Sequence, residues 1–300
     1  MWEIGIKLGA LTVSGDVASQ FLTFPNFGIH VRKAFGYVFS ARLNYMYGYA
    51  KGLNWLPSGN YSENEAWTQH GYTGIVYYNY KTNIQDLSLE GLFSLNNIRF
   101  HKSKVGINVY GLVGIGGSLY DAKVNALNAQ NQPYNFASIV TLPNTHKNRG
   151  EIRDQLKDAM DDTYETAAED HGERRPKLFG MTYKTVGHFG GGIAFKLSNR
   201  LNIALEDRFT FTNDDLYDGQ RWAEQTGAEP VLTQNYDTYN FLSLGLNINL
   251  GSRAVQPLWW LNPLDYAYQE LRKPRLMILP KPVLPDADGD GVTDQFDQEQ

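Results

Sequence analysis

The chain has no cysteine, so disulfide staples and thiolate metal sites are excluded. No apolar run approaches the roughly 18 residues that a membrane-crossing helix needs. Mean hydropathy is -0.42, which agrees with that absence. Neither sign of charge dominates: the formal net charge is -5, and no basic patch carries a readable nucleic-acid motif. Nucleic acid is therefore not an expected partner. No leader precedes the strand pattern WEIGIKLGAL at the start, so an exported protein with this numbering would begin after a removed leader. Catalytic motifs are lacking too. Neither GxSxG nor HExxH occurs, and the histidines (His30, His70, His101, His146, His171, His188) are scattered. The glycine cluster Gly114 to Ser118 lies inside a strand pattern with no helix after it, which makes it a poor phosphate loop. No enzymatic activity is expected.

What the chain has is aromatic side chains, with 19 Tyr, 15 Phe and 6 Trp, and a strict two-residue alternation. Trp2, Ile4, Ile6 and Leu8 oppose Glu3, Gly5, Lys7 and Gly9. Phe27, Ile29 and Val31 oppose Gly28, His30 and Arg32, and Phe39, Ala41, Leu43 and Tyr45 oppose Ser40, Arg42 and Asn44. Similar segments run over Asp86 to Leu95, Val105 to Ile115, His188 to Leu197, Leu201 to Phe211 and Leu242 to Leu250. In the seventh, Asp207 breaks the apolar face. This is the strand period, eight times over.

Tight turns are expected after the second, fourth and sixth strands, and long connections after the first, third, fifth and seventh. The third-to-fourth connection is expected over Gly48 to Thr82 and the fifth-to-sixth over Ser118 to Tyr183. Alternating short and long connections between antiparallel strands mark a transmembrane barrel. The expected fold is all-β: an eight-stranded antiparallel transmembrane β-barrel with long extracellular loops and a short loop helix. A soluble, lipocalin-like barrel would instead bury the apolar face around a ligand.

The polar face carries Glu3, Lys7, Arg32, Arg42, Asp86, Glu90, Lys196, Glu206 and Arg208. Acids and bases are near balance, so they can neutralise one another inside a narrow lumen. Gly5, Gly9, Gly28, Gly106, Gly114, Gly190 and Gly192 leave room for them. His30 and His188 face the same way, in hydrogen-bonded structural roles. Trp2, Tyr37, Tyr45, Tyr47, Tyr49, Phe209, Phe211 and Tyr239 are placed for interfacial girdles. In the fifth-to-sixth connection, Ile152, Leu156, Ala159, Met160 and Ala167 recur at helical spacing. That helix either packs on its own loops or docks another protein of the same membrane. The tyrosine-rich stretch from Trp67 either extends the barrel wall or joins the same contact.

After Gly251 the alternation stops. Residues 252–285 read as a proline- and aromatic-rich linker, with Trp259 and Trp260 expected at the membrane interface. Residues 286–300 read DADGDGVTDQFDQEQ. Asp286, Asp288, Asp290, Asp294 and Asp297 fall at positions 1, 3, 5, 9 and 12 of a twelve-residue calcium loop, with Gly291 at position 6 for the sharp turn and the Val292 carbonyl as a further oxygen. Pro280, Pro282 and Pro285 leave no flanking helix on the entry side. The alternative is a solvated acidic tail.

Eight alternating strands, a proline-rich linker and then DADGDGVTDQFD resemble the outer-membrane-protein-A family, in its subset with thrombospondin type 3 repeats. The resemblance implies the outer membrane of a Gram-negative bacterium, with the linker in the periplasm. It implies calcium as the cofactor, and outer-membrane lipid and other outer-membrane proteins as partners. Peptidoglycan would be a partner only through a further domain that this chain lacks. The expected role is structural, as a tether between membrane and cell wall or as an accessory subunit of a larger assembly. The rival role is a small pore for solutes.

Overall fold

The two-residue alternation becomes eight long antiparallel strands in the computed structural model. They are β1 (Trp2–Ser14), β2 (Thr23–Ala34), β3 (Phe39–Leu53), β4 (Asn79–Ser94), β5 (Ile107–Val124), β6 (Met181–Lys196), β7 (Leu201–Phe211) and β8 (Thr238–Leu250). The structure describes residues 2–20, 22–95, 106–168, 175–223, 231–232, 235–251 and 258–261. Each strand pairs with its neighbours in chain order, and β8 pairs with β1 from Thr238↔Ser14 to Leu250↔Trp2. That last ladder closes the sheet, so no long edge is left with unpaired backbone groups.

The barrel is turned inside out relative to a soluble one. Ile6, Leu89 and Ile115 are 59%, 59% and 71% exposed, while Glu90, Glu206 and Arg208 are buried. Aliphatic side chains cover the outer face between two rings of aromatics. Trp2, Phe39, Phe93 and Phe195 lie at the end with the tight turns, and Tyr47, Tyr49, Tyr183 and Phe211 lie toward the other. Bilayer-spanning barrels present such a girdled apolar band, about 25 Å tall. The lipocalin-like alternative fails on this inversion. Asp207 does interrupt the outer face, and the Asn240 amide donates to its carboxylate at 2.5 Å.

Tight turns join β2 to β3, where Gly36 N–H donates to Phe39 O at 3.2 Å, and β6 to β7, where Ser198 N–H donates to Leu201 O at 3.0 Å. The strands run beyond the apolar band at the opposite end. β3 continues to Leu53, β4 starts at Asn79, and β5 continues to Val124. The loops are accordingly shorter than the sequence pattern indicated, and the first connection is a brief one over residues 15–22. Above the band both faces meet water or polar loops, so Lys51, Lys81, Asn83, Gln85, Asp121 and Lys123 erase the apolar alternation while the ladder goes on.

The connections fold into a cap with its own core. Trp67 stacks edge-on against Tyr72 at 5.2 Å between ring centroids, and Phe136 packs on Tyr72, Tyr77 and Tyr134. The loop helix spans Arg149–Ala159, shorter than its hydrophobic spacing suggested; Thr166–Ala167 instead adds a short strand beside β5. Ile152 and Leu156 are buried in this cap core. The helix thus packs on its own loops, and its apolar stripe is not free to dock a partner.

The chain divides into compact units at Met1–Asn262 and Pro263–Gln300. The second unit, with the expected calcium loop from Asp286 to Asp297, lies outside the described residues.

Candidate functional site

The barrel interior is a column of charge, and strand register explains why its members meet. Arg42 lies directly opposite Glu90 across β3–β4, and Glu3 lies opposite Arg32 across β1–β2. Glu206, on the far wall, joins them. Its carboxylate accepts from Lys7 Nζ at 2.6 Å, from Arg42 Nη1 at 2.6 Å and from the Tyr110 hydroxyl at 2.8 Å. Arg42 Nε donates to Glu90 at 2.6 Å, and Arg208 Nη1 donates to the other Glu90 oxygen at 3.0 Å. Arg208 also reaches Asp86 at 3.4 Å, and the Tyr239 hydroxyl donates to Asp86 at 2.6 Å.

Glycines make the room. A Cβ on Gly192 would sit 2.5 Å from the Tyr110 hydroxyl, and one on Gly114 would sit 2.7 Å from Glu90 Cγ. The cavity left among Glu3, Lys7, Arg42 and Glu206 is only about 10 Å³, room for about one water.

The turn end of the column is stoppered. Leu258–Trp260 forms a single helical turn whose Trp259 and Trp260 are buried among Ala34, Leu92, Tyr110 and Ala194. The Arg32 guanidinium lies 3.8 Å from the centroid of the Trp259 ring, while its Nε donates to Ser40 Oγ at 2.7 Å. A cation held over an indole face is attracted by the ring quadrupole. These tryptophans were expected at the lipid interface; they enter the barrel mouth instead. Tyr239 is a second correction, since it points inward to Asp86 and not toward an outer girdle. Its odd number, against the even-numbered apolar set Leu242 to Leu250, already carried that information.

At the loop end two acids are buried together. Asp237 accepts from the Tyr217 and Asp218 N–H groups at 2.7 and 3.2 Å, and Asp218 accepts from the Val17 and Gln220 N–H groups at 2.8 and 3.0 Å. Both carboxylates crowd Gly15, where a Cβ would lie 2.1 Å from one and 2.5 Å from the other. Burial pushes Asp218 up to about 7, with the charges of Asp16 and Asp215 adding to it. Burial, then the charge of Asp218, pushes Asp237 up to about 10. The folded cap therefore holds protons that an unfolded chain releases near pH 4. Its stability should be greatest at or below about pH 4 and should fall as pH rises through about 7 toward 10. In Asp237→Asn the remaining oxygen still accepts from the backbone, and the new amide lies beside Asp218. Thermal unfolding near pH 8 should then improve by about 1–3 kcal/mol, and the pH profile should flatten. Identical profiles for the two proteins would sink this reading.

A nucleophile-like set also exists: Thr210 Oγ1 lies 3.1 Å from His188 Nδ1, and His188 Nε2 lies 3.6 Å from Asp86. All three side chains are sealed in the barrel, so no substrate reaches them. His30 is likewise buried, 3.8 Å from Glu3.

No family model and no curated protein matches this chain. Solved structures similar to it include Neisserial surface protein A, at 7% identity and TM-score 0.35, covering 83% of this chain and 97% of that one. They also include the attachment invasion locus protein Ail of Yersinia pestis, at 10% identity and TM-score 0.36, covering 82% and 96%. A third is the N-terminal β-barrel domain of OprF from Pseudomonas aeruginosa, at 8% identity and TM-score 0.31, covering 82% and 96%. At such scores these likenesses carry no weight of their own. The fold is fixed here by strand register and by the exposed apolar band.

The structure thus brings together Glu3, Lys7, Arg32, Arg42, Asp86, Glu90, Glu206 and Arg208 as the alternation indicated. Lys196 stays half-buried at the turn end of β6. The predicted metal ligands Asp286, Asp288, Asp290, Val292, Asp294 and Asp297 lie outside the described residues. Sequence reasoning missed the tryptophan stopper and the Asp218–Asp237 pair, because both depend on loop residues returning to the barrel rather than on any period.

Proposed function

We propose that this protein is a structural barrel of a Gram-negative outer membrane. In this reading the tight turns face the periplasm and the capped loops face the exterior. An even strand count returns the chain to its starting side, so the segment after β8 also emerges into the periplasm. The observation that carries the reading is the filled interior: paired charges and two tryptophans pack the lumen so that the cavity among Glu3, Lys7, Arg42 and Glu206 measures about 10 Å³, too little for solute flux. An eight-stranded barrel has an interior just wide enough for side chains to fill. That favours a scaffold, either a tether to the cell wall or an accessory subunit of a larger assembly, over a small pore. Fractionation separates these two. A tether stays with the cell-wall fraction after detergent extraction, whereas a subunit is recovered with crosslinked outer-membrane proteins. Regular conductance steps from the purified protein in planar bilayers would overturn both.

The segment 286–300 supplies the second part of the proposal. Five aspartates at positions 1, 3, 5, 9 and 12 of a twelve-residue loop offer the hard oxygens that calcium prefers. Bound calcium would neutralise a self-repelling run and shorten the reach of a periplasmic linker. Calorimetric titration of the full chain should give one calcium-binding event that Asp288→Ala/Asp290→Ala removes. No heat at calcium concentrations up to about 1 mM, the weak end of known calcium modules, would leave a solvated acidic tail.

A further inference from the structure

The outer wall carries a row of lysines that the barrel itself does not explain. Lys51 on β3 is the register partner of Lys81 on β4, and Lys81 is the register partner of Lys123 on β5. The three side chains stand abreast on one face of three adjacent strands. Like charges directly opposite one another destabilise a sheet. Neighbouring strands lie about 4.8 Å apart, so the row is about 10 Å wide.

Its depth is defined by its own strands. Two residues closer to the barrel centre on the same face lie Tyr49, Asn83 and Asp121, where the aliphatic band gives way to polar side chains. The row therefore stands immediately above the aromatic girdle, at headgroup level. Counter-charges near the row are few among the described residues. Asp162 pairs with Lys51, and Asp121 lies 3.9 Å from Lys123. Lys81 has no carboxylate partner among the described residues. Its Nζ lies 5.5 Å from the Tyr49 ring centroid and 5.8 Å from that of Tyr164.

Beside the row opens a cleft of about 340 Å³ lined by Gln20, Lys51, Lys157, Met160, Asp162 and Tyr164. Tyr164 is held at φ +49 and Asp162 at φ +62, a left-handed backbone that non-glycine residues adopt at a cost. That conformation sets the Tyr164 ring 5.1 Å from Lys51 Nζ, as a wall shared by the two neighbouring lysines.

We propose that Lys51, Lys81 and Lys123, with Lys157 and Tyr164 at the edge of the cleft, seat the phosphate-bearing sugar headgroup of an outer-leaflet glycolipid. The inference rests on the outer-membrane reading above. A headgroup with phosphates on a disaccharide matches each part of the surface. Its phosphates supply an anion to Lys81 and add to the single carboxylates beside Lys51 and Lys123, its sugars fit a cleft of mixed polar and apolar lining walled by an aromatic ring, and its acyl chains descend along the aliphatic wall below Tyr49. A free inorganic anion would use the lysines without needing the cleft or the lipid-facing wall.

The test uses the full chain folded in detergent, with bisphosphorylated lipid A as the probe and native mass spectrometry as the readout. The wild type should retain the lipid, and Lys51→Gln/Lys81→Gln/Lys123→Gln should bind it at least about tenfold more weakly, in keeping with the loss of several charge-assisted contacts. Fully dephosphorylated lipid A should bind the wild type as weakly as phosphorylated lipid A binds the variant. Equal binding by variant and wild type, or by the two lipids, overturns the proposal. Displacement of lipid A by inorganic phosphate at equal concentration would also overturn it, by assigning a free-anion site. Heat-modifiable gel migration reports folding of the variant, and protease protection in cells reports membrane location. A failure of the outer-membrane reading is thereby distinguished from a failure of the lysine site.

Discussion

Glu206→Ala should lower the unfolding free energy of the barrel by about 3–5 kcal/mol, the usual consequence of deleting one member of a buried charge network. Glu206 is the acceptor on which Lys7, Arg42 and Tyr110 converge. Without it, the Lys7 ammonium loses its carboxylate at 2.6 Å, and Arg42 keeps only Glu90. Neither cation can reach bulk water, because their side chains are 4% and 2% exposed. Urea unfolding in detergent, followed by heat-modifiable gel migration, measures the loss. Glu206→Gln preserves acceptor geometry on one side and should fall between the variant and the wild type. Asp162→Ala is the contrasting control. Its partner Lys51 is partly exposed and Asp162 itself is largely exposed, so this pair should contribute at most about 1 kcal/mol. A Glu206→Ala loss as small as that of Asp162→Ala would show that the column is hydrated and not a sealed network.

The same network shows how much was legible in the sequence. Parity alone placed Glu3, Lys7, Arg32, Arg42, Asp86, Glu90, Glu206 and Arg208 on one face, and closure of the sheet then forced them together. Parity cannot say which acid meets which base across the lumen. Lys7 and Glu206 are 199 positions apart in the chain, and their contact depends on the register of β8 between β1 and β7. The ends of the strands were less legible for a physical reason. Alternation is visible only where one face meets an apolar medium and the other does not. Above the girdle, Lys51, Lys81 and Lys123 replace apolar side chains, so the ladder continues without its marker. The lysine row was hidden for the same reason: each lysine looked like a loop residue until register set the three abreast.

Trp259→Ala should cost about 3–5 kcal/mol, the range for removing a buried large aromatic side chain. The loss has two sources. Apolar packing against Ala194, Ala204 and Leu92 disappears, and Arg32 gives up the indole face at 3.8 Å, keeping Ser40, a Glu3 carboxylate at 3.7 Å and the Tyr110 ring at 5.7 Å. Arg32 then becomes accessible from the turn end of the barrel. Conductance should nevertheless stay at the wild-type background in planar bilayers. Above the tryptophan the lumen is still closed by Lys7, Arg42, Glu90, Glu206 and Arg208, which are tied to one another and not to the stopper. A stopper that acted as a gate would give discrete conductance steps once Trp259 was removed, and that result would revive the small-pore reading. An unstable but electrically silent Trp259→Ala protein would place the role of Leu258–Trp260 in anchoring the segment after β8 to the barrel. Any pull along that segment would then reach Arg32 and Glu3 first.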